Sequence, residues 1–167
     1  MKFQLATASA GLSILMTAGM AGTFFGFSVG VMPGLNATRA SSAIAAMNAI
    51  NQKIQNPLFL GAFMLAPVVA VVAGVLLMML DQKHAAWLFF AAAGVYFVGA
   101  FLPTAAVNVP MNNHLAHVKV PHDLAAATKV WTDYSGRWTT WNSVRAVCCG
   151  ASLLLMGAGA FLWGRSR

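Results

Sequence analysis

Charge is the scarcest ingredient of this chain. Of 167 residues, three are acidic (Asp81, Asp123, Asp133) and ten are lysine or arginine. Charged residues make up 8%, against about 25% in average soluble domains. The net charge of +7 comes from basic residues scattered singly, and no Lys/Arg run exists to follow a phosphate backbone. Nucleic acid is therefore not an expected partner; contact with anionic lipid is. Cysteine is also scarce. Cys148 and Cys149 are adjacent, so a bridge between them would be strained, and no disulfide framework can be built. Glycines in a phosphate-cradling motif are missing, as is any nucleophile–base constellation.

Apolar residues, by contrast, make up 59%, and the mean hydropathy is +0.72. That excludes disorder and points to the bilayer. Four stretches are long enough to cross it, at about 8–32, 57–80, 85–107 and 141–163. The predicted fold is a single all-α domain, a transmembrane four-helix bundle. Pro33-Gly34 should end span one, since proline cannot continue the hydrogen-bond ladder. That run is too long for a signal peptide, so a retained helix is expected. Asn56-Pro57 reads as an N-cap followed by proline at the first helical position of span two. Pro67 should kink that span. Asp81-Gln82-Lys83-His84 leaves room only for a tight hairpin between spans two and three.

Trp87 and Trp163 should mark one membrane interface, and Trp131, Trp138 and Trp141 the other. Lys2, Lys83, Arg165 and Arg167 crowd the termini and the short loop. The positive-inside rule therefore predicts an integral cell-membrane protein with both termini cytoplasmic. The two long connections then lie together outside. In 39–55, Ile44, Met47, Ile50 and Ile54 recur at helical spacing, with Asn48, Asn51 and Gln55 on another face. This predicts an amphipathic helix that lies on the membrane or caps the bundle. Met111–Val118 and His122–Tyr134 should form short helices separated at Pro121. Gly19, Gly22, Gly26 and Gly30, three or four apart, read as a surface for close helix packing, internal or in a homo-oligomer.

Polar groups gather at the outer ends of spans three and four. Asn108 and Asn112 are one turn apart. Trp138, Asn142 and Arg145 share a face of span four. A guanidinium inside the apolar region needs a partner. Asp123, Asp133, asparagine carbonyls and the backbone near Pro110 are the acceptors on offer. Arg145 either ties span four to span three or faces a ligand in a polar pocket. His114 and His117, three apart, are the candidates for a copper or zinc site; His122 lies close, and His84 lies in the opposite loop.

Several motifs together resemble the anthrone-oxygenase-like family of small four-span membrane proteins. They are Gly22–Phe27, Val31–Leu35, Met47–Asn51, Asn56–Phe59, Asn108–Asn113, and Trp138 with Trp141–Arg145. The resemblance implies an oxygen-dependent oxidoreductase acting on a lipophilic aromatic, an anthrone or related phenolic. Arg145, Asn108, Asn112 and Asn142 would then stabilise the substrate anion as the catalytic set. Trp138 and Trp141 would stack on its rings, and His114 or His117 would take the proton. The resemblance names no cofactor. The other function class is a non-catalytic membrane protein that binds or passes a small apolar ligand, or serves as a structural partner.

Overall fold

A computed structural model describes residues 1–166; Arg167, one of the four basic residues used to orient the chain, lies outside them. Five helices account for nearly all of the described chain: α1 (Lys2–Asn36), α2 (Ala40–Ile54), α3 (Pro57–Met78), α4 (Lys83–His117) and α5 (Leu124–Arg165). All but α2 are long and apolar enough to cross a membrane, so this is a multi-pass, all-helical membrane protein. The helices run up and down in order around a ring, and α1 closes the ring against α5.

Lengths divide the molecule into a membrane part and a cap. With 22 residues, α3 is about 33 Å long, close to the roughly 30 Å hydrocarbon layer. At 42 residues, α5 is about 63 Å long, so its first turns stand clear of the span marked by α3. These turns, α2 and the end of α4 form the cap. Its core is Met32, Ile44, Met47, Leu115, Ala127, Trp131, Tyr134 and Trp138. At the opposite end the core is a seam of alanines on α1, α3 and α4, with Leu77, Phe89, Met156 and Trp163. Between these layers lie Met20, Phe24, Phe63, Tyr96 and Cys149.

The helix end expected at Pro33-Gly34 does not occur, whereas the break expected at Pro121 does. Pro33 lies within α1, separated by Met32 from the π-helical turn Phe27–Val31. Pro103 is flanked by π turns at Phe97–Phe101 and Thr104–Asn108, and Pro110 follows the second. Widened turns redirect the carbonyls that a missing N–H would orphan, so the helix continues past the ring. The helix expected over Met111–Val118 is present as Val109–His117, but it continues span three instead of standing apart from it. Likewise 124–134 is the first part of α5, leaving 118–123 as the second connection. Asp123 caps α5, its Oδ1 accepting from Ala126 N at 2.8 Å.

The cap at Asn56 is as expected, accepting from Phe59 N at 3.0 Å, and Pro67 lies inside α3. The hairpin turns through Asp81, which adopts a left-handed φ of 59°. Trp131 and Trp138 are buried in the cap core instead of marking the interface, because the cap covers them. Trp87 is exposed, whereas Trp163 is buried, with Phe3 at 5.3 Å. A Cβ added at Gly19, Gly22, Gly26 or Gly30 would meet nothing within 4 Å, so these glycines make no close helix approach within the chain. The close approach lies elsewhere: at Gly99, an added Cβ would collide with the Cβ and Sγ of Cys148. Gly99→Val should therefore overpack the α4–α5 seam by about 1–3 kcal/mol, read as a lower unfolding temperature in detergent. An unchanged temperature would mean the seam is loose there.

Candidate functional site

A cavity of about 550 Å³ lies at the cap end of the bundle, walled by α1, α3, α4 and α5 and covered by α2. Asn108, Asn112, Trp138, Asn142 and Arg145 all line it. Two helices thus bring together residues 26 to 37 positions apart. Asn108 and Asn112 share one face of α4, and Trp138, Asn142 and Arg145 share one face of α5.

Arg145 is the centre of the polar network and is only 5% exposed. Its Nη1 donates to Thr104 Oγ1 at 3.0 Å, and its Nη2 donates to Asn142 Oδ1 at 2.8 Å. The guanidinium carbon is 4.4 Å from the Phe24 ring centroid and 5.5 Å from that of Trp138. Both rings present π-electrons to the cation. No carboxylate supports it. Asp133 binds Lys129 at 2.8 Å on the surface, and Asp123 is the cap of α5, so neither aspartate offered by the sequence is the partner. Arg145 Nε is buried without a hydrogen-bond partner. Neutral oxygens and π-faces therefore hold a cation whose charge is uncompensated among the described residues.

Asn142 is a positioning residue. Its Nδ2 donates to Phe24 O and Ser28 Oγ, each at 2.7 Å, which turns Oδ1 toward Arg145. Ser28 Oγ in turn lies 2.9 Å from Ser143 Oγ. With both amide hydrogens occupied, Asn142 has none to give an oxyanion. Asn112 works in the opposite sense. Its Oδ1 accepts from Tyr134 Oη and Trp138 Nε1, both at 2.8 Å, which fixes the Trp138 ring against the cavity. Asn108 Nδ2 donates to Trp138 O at 3.3 Å, and its buried Oδ1 has no partner. Asn51 of α2 also lines the cavity; its buried Nδ2 lies near the Tyr134 side chain but makes no well-formed hydrogen bond. Three unmatched polar atoms, two donors and one acceptor, thus belong to residues lining the same hollow.

Replacing Asn112 with leucine would leave the Tyr134 hydroxyl and the Trp138 indole N–H unpaired. We expect a loss of about 2–5 kcal/mol from two stranded buried donors, measured by chemical unfolding in mild detergent. Unchanged stability would show that water takes over both bonds.

Trp141 is half-buried and does not line the cavity; it is about 60° round the helix from Trp138. His114 and His117 are exposed and also stand off the cavity; His117 Nδ1 lies 2.7 Å from Asn113 O. No group of three His, Cys, Asp or Glu residues among the described residues is placed to hold a metal. Ser28, Thr104 and Tyr134 entered the site without a sequence signal of their own, and Phe24 only as part of the Gly22–Phe27 motif. Asn51 did have one, since it belongs to the polar stripe of α2, which turns inward rather than to water.

The model of the anthrone oxygenase family matches residues 56–155. That is more than half of the chain. The protein belongs to the anthrone oxygenase family. The matched stretch carries Thr104, Asn108, Asn112, Trp138, Asn142 and Arg145. The family match does not extend to α1 and α2, which add Phe24, Ser28 and Asn51 to the site. No curated protein and no solved structure matches the chain.

Proposed function

We propose that the protein is an oxygen-dependent oxidoreductase that converts a lipophilic anthrone-type phenolic to the corresponding quinone. The observation that carries this reading is a buried guanidinium without a carboxylate partner, set between two aromatic rings on the wall of a mostly apolar cavity. Such a site favours a flat, delocalised anion over a neutral molecule. An anthrone becomes that anion when its ring methylene loses a proton. Its charge then spreads onto the carbonyl oxygen, which the Arg145 guanidinium on the cavity wall stabilises.

The lining residues include no carboxylate or imidazole. The chain's contribution to deprotonation is therefore to lower the acidity barrier of the bound substrate, with water taking the proton. The electron-rich carbon then reduces dioxygen. Overall, anthrone and O₂ give anthraquinone and water: the methylene carbon loses two hydrogens and gains one oxygen. Asn51 and Asn108 add amide side chains to the cavity wall, the polar groups nearest to hand for substrate oxygens and hydroxyls. Trp138, held by Asn112, supplies a stacking face.

The density of Lys2, Lys83 and Arg165 near the termini and short hairpin supports cytoplasmic termini, with the cavity at the extracytoplasmic end. The decisive test of activity uses the protein in liposomes, with anthrone as substrate, following oxygen uptake and quinone absorbance together. We expect about one O₂ consumed per quinone formed, above the spontaneous rate. Oxidation at the rate of empty liposomes would leave the binding reading in its place.

A further inference from the structure

We propose that the substrate enters the cavity sideways from the bilayer, through a slot between α3 and the cap half of α4. The proposal rests on the reading that the cavity takes a lipophilic aromatic, and it adds the route and the residues that form it.

Spans two and three do not stay together along their length. From Lys83 to Tyr96, α4 packs closely on α3. It packs on α5 along its whole length, but from Phe97 onward the close approach to α3 is lost, and Phe101 stacked on Phe63 bridges the widening gap. The divergence begins where the Tyr96 hydroxyl donates to Phe63 O at 3.0 Å, pinning the two helices at the foot of the slot. Just beyond lie the two π turns that flank Pro103. Each inserts a residue into the helix and changes which side chains face inward. Thr104 thereby reaches Arg145.

Residues at the slot face both ways. Leu60 and Met64 on α3, and Ala105 and Val109 on α4, line the cavity yet are exposed on the outside of the bundle. The wall of a closed chamber would be covered on one side. All four are apolar, and Leu60 and Met64 occupy the first two turns of the membrane-length helix α3. The opening is thus at acyl-chain level, where an unpaired polar gap would be costly and an apolar one is not.

Aromatic rings connect that opening to the cation. Phe97, exposed on the outer face, is 5.2 Å from Phe101, which is 5.8 Å from Phe63. Phe63 is 6.4 Å from Phe24, which lies against Arg145. A planar molecule dissolved in lipid can exchange contact with one ring for contact with the next without crossing water. Asn51 and Gln55 of α2 cover the cavity from the cap side.

Two measurements on the protein in liposomes test this route. The first uses a photoactivatable flat phenol carrying a long saturated chain, which confines it to the bilayer. After irradiation, peptide mass spectrometry should place label on Leu60, Met64, Ala105 and Val109 in excess of other lipid-facing positions. Ala105→Trp and, independently, Leu60→Trp should reduce labelling of the cavity residue Phe24 by about tenfold. The second compares anthrone with an anthrone bearing the same chain on its far ring; the slot lets the chain trail into lipid, so both should be oxidised at rates within about threefold. Slot labelling without any oxidation would sustain the route and overturn the oxidase reading. Oxidation of plain anthrone with rejection of the chained one, or label spread evenly over lipid-facing residues, would overturn the route.

Discussion

Arg145→Met is expected to lower kcat/KM for anthrone oxidation by about 10²–10³-fold, the usual cost of losing a charged or preorganised donor at a developing oxyanion. Methionine matches much of the length of the arginine stem and still packs against Phe24 and Trp138. It removes a cation that has no carboxylate partner, so the fold is not left with an uncompensated buried charge. Thr104 and Asn142 lose a donor each, but Thr104 retains its bond to Ala100 O and Asn142 its bonds to Phe24 O and Ser28. Membrane insertion and unfolding temperature should therefore change far less than turnover. Unaltered oxidation would remove Arg145 from the mechanism. Failure of the variant to insert would make the arginine a tie between α4 and α5, the other reading open to it from sequence.

Asn142→Asp should weaken anion binding sharply while leaving Arg145 in place. A carboxylate at this position sits 2.8 Å from Arg145 Nη2, if the geometry of the asparagine oxygen is kept. It supplies the counter-charge that the cavity otherwise lacks. An oxyanion must then bind next to a neutralised cation, and we expect its affinity to fall by about 10²-fold or more. The Ser28 hydroxyl can reorient to donate to the new carboxylate, whereas Phe24 O loses its donor. The variant should remain folded and inserted because the new ion pair offsets part of that loss. Binding of a neutral flat aromatic, measured by quenching of tryptophan fluorescence, should persist. Equal weakening of neutral and anionic ligands would point to collapse of the cavity instead of loss of charge complementarity.

Much of this architecture could be read before any coordinates. Hydropathy gives the four spans because a bilayer sets their length, and Asn56-Pro57 and Asp81–His84 mark turns through local chemistry. The polar residues could be grouped too, because helical spacing puts Asn108 with Asn112, and Trp138 with Asn142 and Arg145. Proline misled where it normally informs. Pro33, Pro103 and Pro110 each stand within or beside a widened helical turn, and no residue type announces such a turn in advance. The tryptophans misled for a related reason. Their interface preference holds for lipid-facing positions, but the long first part of α5 raises Trp131 and Trp138 into a cap core. The partners of Arg145 were the least legible. Thr104 and Phe24 come from other helices, and only the packing of three spans selects them over the two aspartates.

One titration tests the central claim most directly. A flat hydroxyquinone that changes colour on ionisation is bound to the protein in liposomes, and its absorbance is followed against pH. A cation stabilising the bound anion lowers the ligand's pKa, so the coloured anion should persist at least about one pH unit below its range in empty liposomes. Arg145→Met should return the transition to the empty-liposome value. If the wild-type protein binds the dye with its ionisation unmoved or shifted upward, the cavity holds a neutral molecule and the account of its chemistry is wrong.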